Sequence, residues 1–317
     1  MSTRPFERIA VLGLGLLGGS VARAARERGL AREVVGSGRR AAPLERALQA
    51  GIVDRVAPAL EAVVGADLVV LGTPVGSMPN LVTEVASRLE PGCLLTDVGS
   101  VKESLVDRLP GLLPAGVEFV GAHPMAGSHL RGPDHARADL FEGATCVLTP
   151  RRGQDPEAVA RVETFWRDLG ARVTRRDARV HDEEVAWVSH LPHLVAFAFA
   201  QSLGSAPIGA GELAGSGFRD FTRIAQSDAE LWGEILSLNS KALAGPLSHF
   251  SKAVSELAEA LEKEDGEALE RILTQARSRL AEVASHLAPA EKSGTGAPGN
   301  AARIERDPAG QEKTISK

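Results

Sequence analysis

A short apolar strand over residues 9–12 runs straight into Gly13-Leu14-Gly15-Leu16-Leu17-Gly18, and an amphipathic segment over 20–28 follows at once. A G-x-G-x-x-G run means little alone. Held between a strand and a helix, it commits the chain to opening on a βαβ unit. The first two glycines let the chain turn and bring bare backbone up to a ligand, and the third lets helix and strand pack closely. The helix N-terminus then faces that ligand with its positive end, which suits a pyrophosphate. Dinucleotide contacts are therefore expected at Gly13, Gly15, Leu16, Leu17 and Gly18. The competing reading is a tight turn in a different α/β protein.

Apolar runs of strand length continue to alternate with helical patterns from Arg8 to about Asp177. The runs cover 9–12, 33–36, 68–71, 94–96, 119–121, 146–148 and 172–174, with helical stretches such as 78–89, 101–109 and 157–169 between them. Strands that are apolar throughout and alternate with helices imply a mostly parallel sheet covered on both faces. From about His181 the strand-like runs stop and long helical patterns take over. A helix start is visible at Ser227-Asp228-Ala229-Glu230, where a serine and a glutamate three residues later can cap reciprocally. The expected organisation is an α/β Rossmann-type dinucleotide-binding domain over 1–177 and an all-α domain over 178–288. Residues 289–317, rich in Gly, Pro, Lys and Glu, read as a disordered tail.

With 44% hydrophobic and 24% charged residues, 317 residues suffice for two domains with real cores. A net charge of −5 gives no footprint for nucleic acid. No apolar run reaches the roughly 18 residues of a membrane-spanning helix. Cys93 and Cys146 stand in no metal-like spacing, and the opening MSTRPFERIAVLG lacks the apolar stretch of a signal peptide. A reducing, cytoplasmic location is expected.

The second strand bears on the choice of cofactor. In NAD enzymes an acidic residue usually ends that strand and bonds the ribose hydroxyls. Here Val34-Val35-Gly36-Ser37-Gly38 leads into Arg39-Arg40 with no carboxylate. Paired arginines suit a 2′-phosphate, so NADP is favoured over NAD. Two solvated surface arginines are the competing reading. Farther on, Thr73 and Pro74 in Leu71-Gly72-Thr73-Pro74-Val75 sit at a strand's carboxyl end, where open sheets bind ligands.

The next two strand ends are richer in chemistry: Asp97-Val98-Gly99-Ser100-Val101-Lys102, then Gly121-Ala122-His123-Pro124-Met125-Ala126-Gly127-Ser128. His123 is the only titratable side chain between the two glycines of its loop, and histidine is the natural proton acceptor near neutral pH. A histidine that only holds the loop is the alternative. His190 and His193 are three apart, so on a helix they would share a face. Pro192 interrupts that segment and no carboxylate stands at ligand spacing, so no metal is expected. His190 reads as a satisfied interfacial histidine.

Taken in order, GLGLLGGS, DVGSVK, GAHPMAGS, VSHLPH and GFRDFTRIAQSDAELW resemble the prephenate/arogenate dehydrogenase family of tyrosine biosynthesis, over about 8–287. The resemblance implies a helical second domain that forms a homodimer, with the site in the cleft between the two domains. It implies that His123 is the catalytic histidine, accepting a hydrogen bond from the C4 hydroxyl of the substrate ring. Ser100 would bond the same region and help orient that histidine. Arg223 would bind a substrate carboxylate, for which its planar fork is suited, with His193 near the substrate and Trp232 lining the pocket. The expected reaction is oxidative decarboxylation of prephenate to 4-hydroxyphenylpyruvate, or of arogenate to tyrosine.

One stretch departs from the family's pattern. Many relatives carry an acidic residue after GAHPMAGS, whereas this chain has Ser128-His129-Leu130-Arg131. In relatives that position lies near the substrate side chain and the cofactor, so the resemblance implies that Ser128 and His129 face the substrate here; His129 offers no partner to an ammonium, which favours prephenate. Two rivals stand against the main reading. A β-hydroxyacid dehydrogenase would need a catalytic lysine in the helical half, where Lys241 and Lys252 lie outside the motifs. A nonenzymatic dinucleotide sensor would have lost the loop residues that this chain keeps.

Overall fold

A computed structural model describes residues 5–127 and 130–285, so Ser128, His129 and the stretch 289–317 lie outside the described residues. The chain divides into two compact units, one up to Ala253 and one from Val254.

In the first unit, β1 (Phe6–Leu12), β2 (Ala31–Ser37), β3 (Arg55–Val56), β4 (Leu68–Leu71), β5 (Leu94–Asp97) and β6 (Glu118–Phe119) form one parallel sheet. Their order is β3-β2-β1-β4-β5-β6. Ile9 pairs with Val34 on one side and Leu68 on the other. Side chains alternate between two cores: Ile9 and Val11 join Val34, Leu68 and Val70, while Ala10 and Leu12 join Val35, Val69 and Leu71. Both faces are covered, which is why these strands show no polar alternation. The connecting helices are α1 (Leu16–Glu27), α2 (Ala41–Gln49), α3 (Ala59–Ala62), α4 (Met78–Val85) and α5 (Glu103–Arg108). Val21 and Ala22 of α1 fill the first core; Met78, Val82 and Leu105 fill the second. The strand order reverses between β1 and β4, so the turns after them meet at the crevice where such sheets take ligands.

The run at 119–121, read as one strand, is split. β6 ends at Phe119, and β7 (Gly121–Pro124) leaves for a second sheet with β8 (Thr145–Thr149) and β9 (Arg172–Arg175). β7 and β8 are antiparallel, β8 and β9 parallel. The cause is local. Val120 N–H still donates to the Leu95 carbonyl of β5 (2.8 Å), but Ala122 N–H donates to the Asp97 side chain (2.9 Å), so a carboxylate replaces the next rung of the ladder. Between β8 and β9, α6 (Pro156–Asp168) packs Val162, Phe165 and Trp166 into the first core.

The helical half of this unit holds α7 (Ala178–Val185), α8 (Leu191–Ser202), α9 (Ser216–Thr222), α10 (Ala229–Leu238) and most of α11 (Ser240–Glu262). A π-helical turn, Ala186–His190, joins α7 to α8. Pro192, at the start of α8, lacks the N–H that a regular helix would donate there. Such widened turns are frequent at functional sites. The start of α10 differs from expectation. Asp228, not Ser227, caps it, accepting from Leu231 N–H at 2.6 Å, and Glu230 falls too early for a reciprocal cap. α10 is fastened to the sheet: Ile235 enters the second core, and Glu234 Oε1 accepts from Gly76 N–H at 2.7 Å.

In the second unit the end of α11 leads through Lys263–Asp265 into α12 (Gly266–Ala284), with the Asp265 side chain accepting from Ala268 N–H at 2.9 Å. Among the described residues no helix is long and apolar enough to cross a membrane.

Candidate active site

At the head of α1 three glycines do different jobs. Gly13 adopts φ +108°, and a Cβ on it would lie 2.6 Å from the Gly72 carbonyl carbon. A Cβ on Gly18 would lie 2.0 Å from the Gly13 carbonyl oxygen. Those two seal β1, α1 and the turn after β4 against each other. Around Gly15 nothing stands within 4 Å of the Cβ position. Gly15 is the N-cap of α1, without a side-chain cap or an acidic residue in the first turn, so the first N–H groups of the helix face an open cradle. Beside it, Thr73 Oγ1 is buried without a partner. Bare backbone donors, an open approach and an orphaned hydroxyl fit a dinucleotide. Leu16 and Leu17 open α1 at this cradle, and Pro74 is exposed in the turn after β4. β2 ends at buried Ser37, and Arg39 and Arg40 are exposed just beyond it.

His123 lies in β7, 7% exposed. The peptide ahead of it is clamped by a buried ion pair. Lys102 and Asp97, both fully enclosed, bond each other, and Lys102 Nζ donates to the Ala122 carbonyl (3.0 Å) while Asp97 Oδ1 accepts from Ala122 N–H. The ring is held from the other side by α7. His123 Nδ1 is 2.8 Å from His181 Nε2, and His181 Nδ1 is 2.8 Å from Asp182 Oδ1. Asp182 also accepts from the backbone N–H groups of Lys102 (2.8 Å) and Glu103 (2.9 Å). Burial, with His181, Lys102 and His190 adding to it, holds His123 well below the ordinary histidine value. It is therefore a neutral imidazole at physiological pH.

Ser100 is half-buried just beyond β5, and among the described residues no hydrogen bond joins it to His123; the fixed partner of that ring is His181.

The helical residues gather nearby. The His193 ring stacks on Trp232, centroids 3.5 Å apart at 15°, and its Nδ1–H donates to the Ser189 carbonyl (2.9 Å). Partial burial and the adjacent Arg223 guanidinium hold His193 below its ordinary value, against the pull of that carbonyl. Arg223 itself is exposed at the end of α9. His190 lies between the groups, edge-on to Trp232 at 6.0 Å and near His123. Asn239 Nδ2 reaches both the Asp182 carbonyl (2.8 Å) and His190 Nδ1 (2.9 Å). That leaves His190 Nε2 buried without a partner, so this histidine is satisfied on one side only. Burial pushes it down to about 4. The structure thus brings His123, His193, Trp232 and Arg223 into one neighbourhood. Among the described residues no cluster of three His, Cys, Asp or Glu side chains could hold a metal ion.

His181, Asp182 and Asn239 were not singled out in the sequence. The pair His181-Asp182 sits in ARVHDEEVAW, where acidic neighbours make it look like a solvated helix face. Only packing reveals that both are buried, at 1% and 2% exposure.

The sequence matches the family described as prephenate dehydrogenase, nucleotide-binding domain, over residues 21–175, and its dimerization domain over residues 177–275. Cyclohexadienyl dehydrogenase of Zymomonas mobilis is 33% identical over 289 residues, covering 89% of this chain and 98% of the relative. Prephenate dehydrogenase of Bacillus subtilis is 32% identical over 277 residues, covering 86% and 74%. Among solved structures, Aquifex aeolicus prephenate dehydrogenase in complex with hydroxyphenyl propionate and NAD+ superposes with a TM-score of 0.80 at 30% identity, covering 89% of this chain and 99% of that one. With both domain descriptions matched and likeness sustained over most of its length in sequence and fold, the chain belongs to the prephenate dehydrogenase family.

Proposed function

We propose that the chain oxidatively decarboxylates prephenate to 4-hydroxyphenylpyruvate, with hydride passing to a nicotinamide dinucleotide, in tyrosine biosynthesis. One observation carries this reading: a buried, neutral His123 with His190 between it and the stacked His193 and Trp232 beside Arg223. The substrate is a cyclohexadienol with a ring carboxylate. Losing the C4 hydroxyl proton and the C4 hydride makes a ring ketone, and loss of CO₂ then gives a phenol, so aromatisation drives the reaction. The protein needs to align C4, take one proton and hold an anion.

His123 takes the proton: the O–H bond breaks, an Nε2–H bond forms, and the oxygen keeps the electron pair. Ser100 bonds the same hydroxyl region. Arg223 meets a carboxylate with its forked donors, His193 stands near it, and Trp232 walls the pocket and excludes water. Ser128 and His129 are assigned to the substrate side chain. Gly13, Gly15, Leu16, Leu17 and Gly18 would hold the dinucleotide's pyrophosphate, with Thr73 and Pro74 alongside. When bound, its nicotinamide ring supplies the hydride acceptor. Arg39 and Arg40 are assigned to a 2′-phosphate, which favours NADP over NAD.

The boundary between dinucleotide-binding and helical domains is placed at 177/178, beside the junction of the two family matches. The chain works as a homodimer paired through the helical region. In support, the stripe Val254, Leu257, Ala258 and Leu261 stays largely uncovered by its own chain, with Leu261 62% exposed. Two buried free thiols, Cys93 and Cys146, suit the reducing cytoplasm.

The test is cofactor reduction followed by absorbance, with prephenate and arogenate each run against NAD and NADP. No turnover in any combination ends the proposal, and a large advantage for arogenate reverses the substrate assignment. His123→Asn should lose most of its turnover while still binding substrate.

A further inference from the structure

We propose that His181, backed by Asp182, is a positioning residue that fixes His123 in the tautomer whose Nε2 is bare and ready to accept the substrate's proton. The inference rests on the assignment of His123 as the base and extends it to how that base is held.

The argument begins at the far end of the chain of bonds. The Asp182 carboxylate, 2% exposed, accepts two backbone N–H groups at the start of α5, from Lys102 and Glu103. Both of its oxygens are thereby engaged as acceptors. An ionised carboxylate can only accept, so the third contact, from His181 Nδ1 at 2.8 Å, requires a proton on that nitrogen. With its one ring proton on Nδ1, His181 presents a bare Nε2. That nitrogen lies 2.8 Å from His123 Nδ1, which must therefore carry the proton and donate. His123 Nε2 is left as an acceptor. Each ring's tautomer is dictated by the bond its neighbour makes.

The direction matters because neutral histidine in water favours the opposite tautomer, with the proton on Nε2. In that form His123 would present a donor to the substrate hydroxyl and could not take its proton. The same line of contacts serves after transfer. Imidazolium at His123 keeps its Nδ1–H bond to His181, and the Asp182 charge behind His181 offsets the new positive charge without taking the proton itself. Enclosure strengthens these contacts, since no water competes for the rings. The charged and titratable groups facing His123 are His181 from α7, Lys102 ahead of α5 and His190 from the π-helical turn.

The experiment reads histidine nitrogen NMR on the resting full chain near neutral pH, alongside steady-state kinetics with prephenate. In the wild type, His123 should carry its proton on Nδ1. His181→Phe keeps ring bulk but removes the acceptor. His123 should then move toward the Nε2–H form, and kcat should fall about 100-fold with KM changed less than threefold, the low end of what a general base contributes. His181→Gln restores an acceptor and should recover both the tautomer and most of kcat. Should His181→Phe not fold, the wild-type tautomer and the His181→Gln variant decide the matter. A wild-type His123 protonated on Nε2, or a tautomer and kcat unmoved by His181→Phe, overturns the inference. Absence of prephenate turnover in the wild type would instead remove the proposed function, leaving the NMR arm to judge the positioning.

Discussion

The three glycines at the head of α1 make a prediction in which stability and cofactor binding separate. A methyl group on Gly18 would place its carbon 2.0 Å from the Gly13 carbonyl oxygen, against the roughly 3.5 Å at which such atoms rest. Neither side can give. Gly13 is fixed by its positive φ, and its own Cβ direction is blocked 2.6 Å away by Gly72 backbone. In Gly18→Ala, α1 must back away from β1, loosening Val21, Ala22 and Ala25, which are fully buried beneath it. Overpacking typically costs about 1–3 kcal/mol, and with backbone on both sides the upper end applies. For a chain of this size roughly 3 kcal/mol lowers Tm by about 6–12 °C. Gly15→Ala meets nothing within 4 Å, so its melting point should stay within a degree or two of wild type. Its methyl group would stand in the cradle itself, and the dissociation constant for the dinucleotide should rise about 100-fold, near 2.7 kcal/mol. Thermal melts by circular dichroism and calorimetric titration with NADP read the two quantities independently. A Gly18→Ala protein that melts like wild type, or a Gly15→Ala protein that binds cofactor normally, refutes the division of labour.

Replacing Arg39 and Arg40 together by alanine should weaken NADP about 10- to 100-fold, or roughly 1.4–2.7 kcal/mol, and leave NAD unchanged in the same titrations; equal loss for both would show the arginines are not reading the phosphate. Lys102→Met strands the Asp97 carboxylate in a fully enclosed site, so urea unfolding should show a loss of about 3–5 kcal/mol, part of which Lys102→Met/Asp97→Asn recovers. His190 is held neutral down to about 4, below its unfolded value of about 6.5. The unfolded chain therefore takes up that proton first as pH falls, and stability is lost through the window between those values. Its share should be roughly 2 kcal/mol at pH 5 relative to pH 7. Comparing wild type with His190→Gln by urea unfolding at both pH values isolates that share from the parallel effect of His123, and identical pH dependence would refute it.

The broad elements of the fold were written locally in the chain. A glycine run between a strand and a helix needs only neighbouring residues to state its meaning, although α1 begins at Leu16, four residues ahead of the amphipathic segment expected over 20–28, because the last glycine of the run lies inside the helix. Apolar runs without polar alternation told of a sheet covered on both faces, as the split of Ile9 and Ala10 between two cores bears out. The misreadings came where a distant group decides a local matter. Residues 119–121 form an unbroken apolar run, and nothing in them says that Asp97, more than twenty positions earlier, will take the Ala122 N–H and turn the strand out of the sheet. The start of α10 was misjudged for a smaller reason: serine and aspartate both cap helices well, and which of the two does so depends on one residue of register.

The polar residues around His123 follow the same logic. Lys102 belongs to a motif visible in the sequence, yet its position there gives no hint that it is fully enclosed and bonded to Asp97 and the Ala122 carbonyl. Asp182 reads as one acid among several on a helix, and only the approach of α7 to the start of α5 buries it as the acceptor of two backbone donors. His123, the base of the proposed reaction, is thus held by two devices that neither its own loop nor its own strand encodes. The Lys102–Asp97 pair fixes the peptide that carries the ring, and the Asp182–His181 pair fixes the ring's protons. The first comes from the sheet and the second from the helical half, so the His123 ring is set only when both halves of the fold have assembled around it. A strand-borne histidine alone has two tautomers and an adaptable orientation; between these two clamps it has one of each.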